Sequence, residues 1–272
     1  MKTIEQVLSD EQILSEFPDM KSEDWHRHSN GGGWVYKTAE VAKTAYVGED
    51  ALVYNTAKVL HNAKVCDVAR VYGNSCVYGN ACVYGMAEVY GMAEVYGNAW
   101  VSGRARVFDE AWVFGKARVF NKTMVYDKAR VYGKASVLDN ARVCGNAWVY
   151  DESRVYGNAF VYGNANIHGT SCLYGSAEVY MGEFQYGLFD SGKWNRGPFF
   201  AKGLMWSMYE CIGGRLKIGG VIFDIKKSKA FLELLQEESD RKKMNEYIEY
   251  VEYAECIEQF EKHIEKHGII KI

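Results

Sequence analysis

The chain has 272 residues and a formal net charge of −3, which allow one elongated domain with capping segments and argue against a dedicated nucleic-acid-binding protein. Its 7 cysteines are an odd number without a CxxC motif, which favours free thiols in a reducing compartment. No apolar run reaches membrane-spanning length and the start lacks a signal-peptide core, so we expect a soluble, cytoplasmic protein without a membrane partner.

The first segment, residues 1–34, is predicted to form a cap for the array that follows. Apolar residues recur with helical spacing over residues 1–20 and Pro18 ends the pattern, so a short amphipathic helix is expected there. His26 and His28 come next, before three consecutive glycines that favour a bent entry into the array. A metal site at these two histidines is disfavoured, because no cysteine or acidic cluster accompanies them.

Residues 35–180 are organised by a period of six residues. Every sixth residue from Val41 to Val179 is aliphatic, and the residue two positions before it is Ala, Ser or Thr. The residue two positions after it, from Asp67 to Gly175, is always Gly, Asp or Asn, the types that most readily adopt positive φ. Each repeat is therefore predicted to be a short strand with two inward side chains followed by a tight turn, and stacked repeats would share one core.

This pattern resembles the hexapeptide-repeat family of left-handed parallel β-helices, whose motif is an aliphatic residue, three variable positions, a small residue and one more. The entry stretch HSNGGGWVYKTAEVAKTAYVGEDA (28–51) also resembles the entry sequence of members common in bacteria and their phages. The resemblance implies about eight triangular coils, which strand spacing would extend over roughly 38 Å. The left hand comes from the resemblance alone, because parallel crossovers are otherwise almost always right-handed.

The residue after each aliphatic position is mostly Tyr or Phe, whereas the family usually has a small residue there. These rings are expected to stack along three corners of the coil, as in the series Tyr72, Tyr90, Phe108 and Tyr126. Because the aromatic residues recur along every edge, they indicate a packing rule and not a binding site.

The residue immediately before each aliphatic one should point outward and record what each flat face can contact. On successive coils this position would form Trp–Arg ladders, and Arg over Trp can hold nucleobases, phosphates or acidic groups of a partner. Three interpretations stay open: structural cover of the sheet, the interface of a homotrimer or other homo-oligomer, and a ligand- or partner-binding surface. Six residues form the predicted binding surface: Trp100, Trp112, Arg118, Arg130, Trp148 and Arg154.

The array has no insertion, whereas acyltransferases of the resembled family usually interrupt the coils with a loop and bind acyl-CoA near a catalytic histidine. The only histidines of the array, His61 and His168, stand at repeat positions normally held by Gly or Asn and by Tyr. The family's carbonic anhydrases need three histidines around zinc, whereas this array has two, far apart in register. We therefore predict no catalytic residue, no cofactor and no metal.

The last segment, residues 181–272, is predicted to be a β-plus-helical capping module. Glycine- and aromatic-rich residues up to 224 favour irregular strands, followed by a helix from Ala230 and a second near Met244–Lys266. The stretch ECIGGRLKIGGVIFDIKKSKAFLELL (210–235) resembles the terminal module of phage-associated relatives.

Taken together, these features predict a mainly β, non-catalytic binding or scaffold protein that works by presenting its surface. The phage-associated resemblance adds a narrower hypothesis, an inhibitor whose partner is a host defence or nucleic-acid protein. Nucleic acid itself is a less favoured partner. A hexapeptide-class acyltransferase using acyl-CoA is the alternative function.

Overall fold

The chain folds mainly as β-strands that form a parallel solenoid of about eight turns. It divides into two compact units, Met1–Asp190 and Ser191–Ile272. The computed structural model describes residues 3–8, 19–185, 188–189, 193–194, 199–201, 204–207, 215–218 and 221–224.

The entry to the solenoid is an antiparallel hairpin. A short helix α1, Ile4–Leu8, and a 3-10 helix, Ser22–Asp24, precede strand β1, Trp25–Arg27, which pairs antiparallel with β2, Trp34–Tyr36. The helical cap predicted over residues 1–20 is not seen among the described residues. Their only α-helix is the short α1, and residues 9–18 lie outside the described part of the chain.

Nearly all strands of the solenoid are two residues long, an outward residue followed by an inward aliphatic one. They are β3 Glu40–Val41, β4 Tyr46–Val47, β5 Leu52–Val53, β6 Lys58–Val59, β7 Lys64–Val65, β8 Arg70–Val71, β9 Cys76–Val77, β10 Cys82–Val83, β11 Glu88–Val89, β12 Glu94–Val95, β13 Trp100–Val101, β14 Arg106–Val107, β15 Trp112–Val113, β16 Arg118–Val119, β17 Met124–Val125, β18 Arg130–Val131, β19 Ser136–Val137, β20 Arg142–Val143, β21 Trp148–Val149, β22 Arg154–Val155 and β24 Cys172–Leu173. Longer or later strands are β23 Phe160–Ile167, β25 Glu178–Phe184 and β26 Leu188–Phe189.

Each strand from β5 to β20 pairs in parallel with the third strand before it and the third strand after it. Strand β13, for example, lies between β10 and β16, with Trp100 opposite Cys82 on one side and Arg118 on the other. One row of strands runs from β4 to β26. The two other rows meet at β23, which is long enough to pair with both β20 and β21. One turn through the three rows is called a rung below.

The core holds two side chains from each repeat. The inward valines and alanines of the array are almost all fully buried, as Val119 and Ala117 are with 0% of their surface exposed. Where Ser or Thr replaces Ala, the buried hydroxyl is satisfied by the carbonyl three residues earlier: Ser75 donates to Tyr72 O at 2.7 Å and Thr123 to Phe120 O at 2.7 Å. This local bond lets a polar side chain occupy an apolar core.

The turns have positive φ two residues after each aliphatic position from Asp67 to Gly175, as the sequence predicts. Asn55 and His61, which precede that range at the same repeat position, also have positive φ. Rungs approach closely here, since a Cβ on Gly73 would lie 2.9 Å from the amide nitrogen of Gly91. Aspartates at this position tie the rungs together with their side chains, as Asp67 Oδ2 accepts a hydrogen bond from the amide of Gly85 at 2.9 Å.

The second unit contributes a four-stranded antiparallel sheet. The members of this sheet are β28 Phe199–Ala201, β29 Leu204–Ser207, β30 Arg215–Ile218 and β31 Val221–Asp224. Strand β27, Lys193–Trp194, precedes them in sequence and is not part of this sheet. The predicted helices at Ala230 and Met244–Lys266 lie outside the described residues.

Burial of the aliphatic position provides a direct stability test. We expect Val119→Asp to lower the free energy of unfolding by about 3 kcal/mol or more, because it buries an unpaired carboxylate. Urea unfolding followed by circular dichroism measures the change. Lys122→Asp, at an exposed turn position, is the matched control and should change stability by no more than about 0.5 kcal/mol. Equal losses in both variants would contradict the inward assignment of Val119.

Candidate binding surface

Three outward faces follow from the three rows of strands. The first face carries Glu40, Lys58, Cys76, Glu94, Trp112, Arg130, Trp148 and Asn166. The second face carries Tyr46, Lys64, Cys82, Trp100, Arg118, Ser136, Arg154 and Cys172. The third face carries Leu52, Arg70, Glu88, Arg106, Met124, Arg142, Phe160 and Glu178.

Three edges separate these faces, and each is named by its turn residues. The first edge follows the first face and contains His61, Gly79, Gly97, Gly115, Gly133, Asp151 and Gly169. The second edge follows the second face and contains Asp67, Gly85, Gly103, Asn121, Asp139, Gly157 and Gly175. The third edge follows the third face and contains Asn55, Gly73, Gly91, Asp109, Asp127, Gly145 and Gly163.

The first face holds a Trp–Arg–Trp stack on three successive rungs. Arg130 is opposite Trp112 in one register pair and opposite Trp148 in the next. Its guanidinium carbon lies 4.7 Å from the ring centroid of Trp112 and 5.1 Å from that of Trp148. Cation–π attraction to two indoles therefore fixes this side chain, and the predicted contiguous ladder is confirmed.

The stack remains accessible from outside. Trp148 exposes 38% of its surface, and Trp112 and Arg130 are half-buried. Tyr132 packs edge-on against Trp148, with ring centroids 6.3 Å apart, which further orders the indole. No carboxylate of the described residues pairs with Arg130, so its N–H donors are available to an acidic or carbonyl group of a partner.

The other three predicted residues lie on the second face and form a looser group. Arg118 stands 5.8 Å from the ring centroid of Trp100, which exposes 47% of its surface. Arg118 and Arg154 lie two rungs apart, with Ser136 on the rung between them. The structure thus places the six predicted residues in two groups on two faces and does not bring them into one site.

Ion pairs and hydrogen bonds cover other parts of the faces. Lys58 pairs with Glu40 at 3.1 Å on the first face, and Arg106 pairs with Glu88 at 3.3 Å on the third. Such exposed pairs contribute little stability, but they satisfy the outward positions of these rungs. The Trp–Arg–Trp stack differs because it carries a cation without an acidic partner among the described residues.

Aromatic stacks line two edges and not three. Rings 4.7 to 4.9 Å apart continue along the first edge from Tyr78 to His168. A second stack runs along the third edge from Tyr54 to Tyr126. On the second edge Tyr156 and Tyr174 stack with ring centroids 5.4 Å apart. The prediction of a continuous third stack is wrong, because Cys66, Ser102 and Leu138 interrupt that edge.

Asparagine ladders along the edges were missed by the sequence interpretation. Asn80 donates to Asn98 at 3.4 Å, and Asn140 donates to Asn158 at 3.2 Å. These ladders are recognisable in the sequence because Asn recurs one coil later at the position that follows the turn residue. These side chains satisfy one another, which indicates a structural role.

The histidines have structural surroundings. His168 belongs to the aromatic stack, 4.9 Å from Tyr150, and its Nδ1 lies 3.9 Å from Asp151 Oδ2. His61 occupies a turn at φ 57°. His28 is buried, with Nε2 3.1 Å from the carbonyl oxygen of Ala45, while His26 is exposed. The described residues contain no group of three side chains that could hold a metal ion.

The five described cysteines are free. Burial raises the pKa of Cys66, Cys76, Cys82 and Cys144, which keeps these thiols protonated and poorly nucleophilic near neutral pH.

Comparison of the chain with family models, with curated proteins and with solved structures finds no match. Among the described residues, no helix is long and apolar enough to cross a membrane.

The tyrosine stacks generate a pH prediction. Burial, with a hydrogen bond to Cys144, raises the pKa of Tyr126 to about 12. An unfolded tyrosine ionises near pH 10, so its contribution to stability is complete below pH 10 and is lost as pH rises through the folded pKa of about 12. The free energy of unfolding, measured by urea unfolding from pH 9 to 12, should therefore fall less steeply in Tyr126→Phe than in the wild type. An unchanged slope would contradict the raised pKa.

Proposed function

We propose that this chain is a non-catalytic binding or scaffold protein that contacts a protein partner through the Trp–Arg–Trp stack of the first face. The proposal includes a solenoid of the left-handed hexapeptide-repeat type, supported by the six-residue period of the sequence. The observation that carries the function is Arg130 held between Trp112 and Trp148 on an accessible face.

The chemistry of the stack suits a protein interface. Trp and Arg are the residues most enriched among those that dominate binding energy. Their positions are set by parallel strands and by mutual packing, so little side-chain freedom remains to be lost on binding. A partner that offers an acidic side chain to Arg130 and apolar surface to the two indoles would complement the stack.

A narrower proposal concerns the partner. The resemblance of residues 28–51 and 210–235 to phage-associated proteins supports an inhibitor that binds a host defence or nucleic-acid protein. A second copy of this chain, as in a homotrimer or another homo-oligomer, is the competing occupant of the same face. The experiment below separates these two partners.

The first-face stack predicts a selective loss of binding. Trp112→Ala with Arg130→Glu should weaken partner binding by about 2 kcal/mol or more, because it removes both the apolar anchor and the cation. Capture from bacterial lysate with quantitative mass spectrometry would identify the partner, and titration with the purified partner would measure the loss. Trp100→Ala with Arg118→Glu is the matched control on the second face and should retain binding.

Sedimentation velocity on the same variants tests self-association. If the first-face variant dissociates an oligomer that the second-face variant keeps, the stack is a subunit interface. If the first-face variant changes neither assembly nor partner binding, the stack is only cover for the sheet and the proposal fails.

The alternative, an acyltransferase of the hexapeptide class using acyl-CoA, has one supporting observation. His168 Nδ1 lies 3.9 Å from Asp151 Oδ2, which allows electrostatic attraction between an imidazole and a carboxylate but is beyond hydrogen-bond distance. On the binding proposal, His168→Ala and the wild type should both fail to bind acetyl-CoA in isothermal titration calorimetry. Binding that the substitution abolishes would favour the acyltransferase.

A further inference from the structure

The second edge and its flanks form a basic band in the middle of the solenoid. Arg104 and Lys122 stand at the same turn position on successive rungs, each donating its amide to the next rung. Arginines of the second and third faces flank them on both sides, and all six side chains are exposed. The basic band consists of Arg104, Arg106, Arg118, Lys122, Arg142 and Arg154.

Few carboxylates neutralise this band within the described part of the chain. Arg106 pairs with Glu88 at 3.3 Å, and the other five cations have no ion pair there. Asp139 lies on the edge itself, but its Oδ1 accepts from Asn121 at 3.0 Å and its Oδ2 from the amide of Gly157 at 3.2 Å. Six cations against the carboxylates of Glu88 and Asp139 therefore leave a local excess of positive charge in a protein whose net charge is −3.

A groove of about 560 Å³ runs over this edge, between the basic side chains and the turns. Its lining includes Arg104, Lys122, Asn121, Asn140 and Asp139, so two cations, two carboxamides and one carboxylate face the same space. The corresponding groove of the third edge, about 640 Å³, is lined instead by Asp109, Glu110 and Asp127, with Lys128 paired to Glu110 at 3.7 Å. Positive charge is thus a property of the second edge and not of the third.

An aromatic platform stands beside the basic groove. Trp100 exposes 47% of its surface on the second face, next to Arg118 and at the N-terminal end of the basic band. Tyr84 packs edge-on against it, with ring centroids 6.2 Å apart, and so holds the indole in place. A cationic path with an adjacent exposed aromatic ring is the usual composition of surfaces that bind single-stranded nucleic acid.

We propose that the second edge binds the phosphate backbone of a single-stranded nucleic acid, with Trp100 stacking on an unpaired base. Arginine and lysine along the groove would contact successive phosphates. A duplex fits less well, because its base faces are already stacked and could not use Trp100. This surface is separate from the first-face stack, so the inference does not depend on the proposed protein partner.

The test is fluorescence anisotropy with a labelled 20-nucleotide oligothymidylate at several salt concentrations. Arg104→Ala with Lys122→Ala should weaken binding at low salt at least fivefold and reduce the slope of log affinity against log salt by about 1.4, since each single-strand phosphate contact contributes about 0.7. Trp100→Ala should weaken binding at least fivefold with little change in the slope. Lys116→Ala with Lys134→Ala removes two cations at the same repeat position on the first edge, and this control should bind within twofold of the wild type.

Several outcomes would overturn the proposal. One is an absence of measurable binding to oligothymidylate at low salt. Another is an equal loss in the first-edge and second-edge variants, which would indicate nonspecific attraction. Tighter binding to a 20-base-pair duplex would assign the edge to double-stranded DNA. Equally effective competition by polyglutamate would assign it to an acidic protein.

Discussion

Every other feature of this protein depends on the narrow core of the solenoid, which admits only a small and an aliphatic side chain from each repeat. Ala117 and Val119 are completely buried, and a small side chain followed by an aliphatic one recurs at these two positions from Ala45 and Val47 to Ala177 and Val179. A shift of one residue would turn the aliphatic side chain outward and leave the core unfilled. The residues of positive φ that follow each strand let the chain turn before the next pair must enter the core.

This constraint converts sequence spacing into surface ladders. Residues one turn apart lie opposite each other, so Arg130 meets Trp112 and Trp148, and Asp127 accepts from the amide of Gly145 at 2.9 Å. The core positions hardly vary in sequence. The residues at the outward and turn positions therefore determine how the surface chemistry differs from one part of the solenoid to another. The first face presents an ordered Trp–Arg–Trp stack, while the second edge presents unpaired cations. We therefore propose binding by surface presentation as the function of this scaffold.

Much of this arrangement could be predicted from the sequence, because solenoid contacts repeat at a fixed spacing. The Trp112–Arg130–Trp148 ladder follows directly from that spacing. The β1–β2 hairpin could not be foreseen, since Trp25 and Trp34 precede the repeat. The aromatic residues as a group predict three stacks, but Cys66, Ser102 and Leu138 interrupt the one on the second edge. The spacing alone does not predict which cations lack carboxylates on adjacent rungs, because that depends on how the side chains pair.

The most direct test of the account compares the urea midpoints of three insertion variants. Duplication of residues 104–121 adds one whole turn, and duplication of residues 116–121 moves the later repeats by one face; both keep every inward pair. A single alanine between Arg118 and Val119 instead breaks the spacing of the pair. We predict that both duplications stay within about 1 kcal/mol of the wild type and that the single insertion loses several kcal/mol. A single insertion as stable as the duplications would contradict the account.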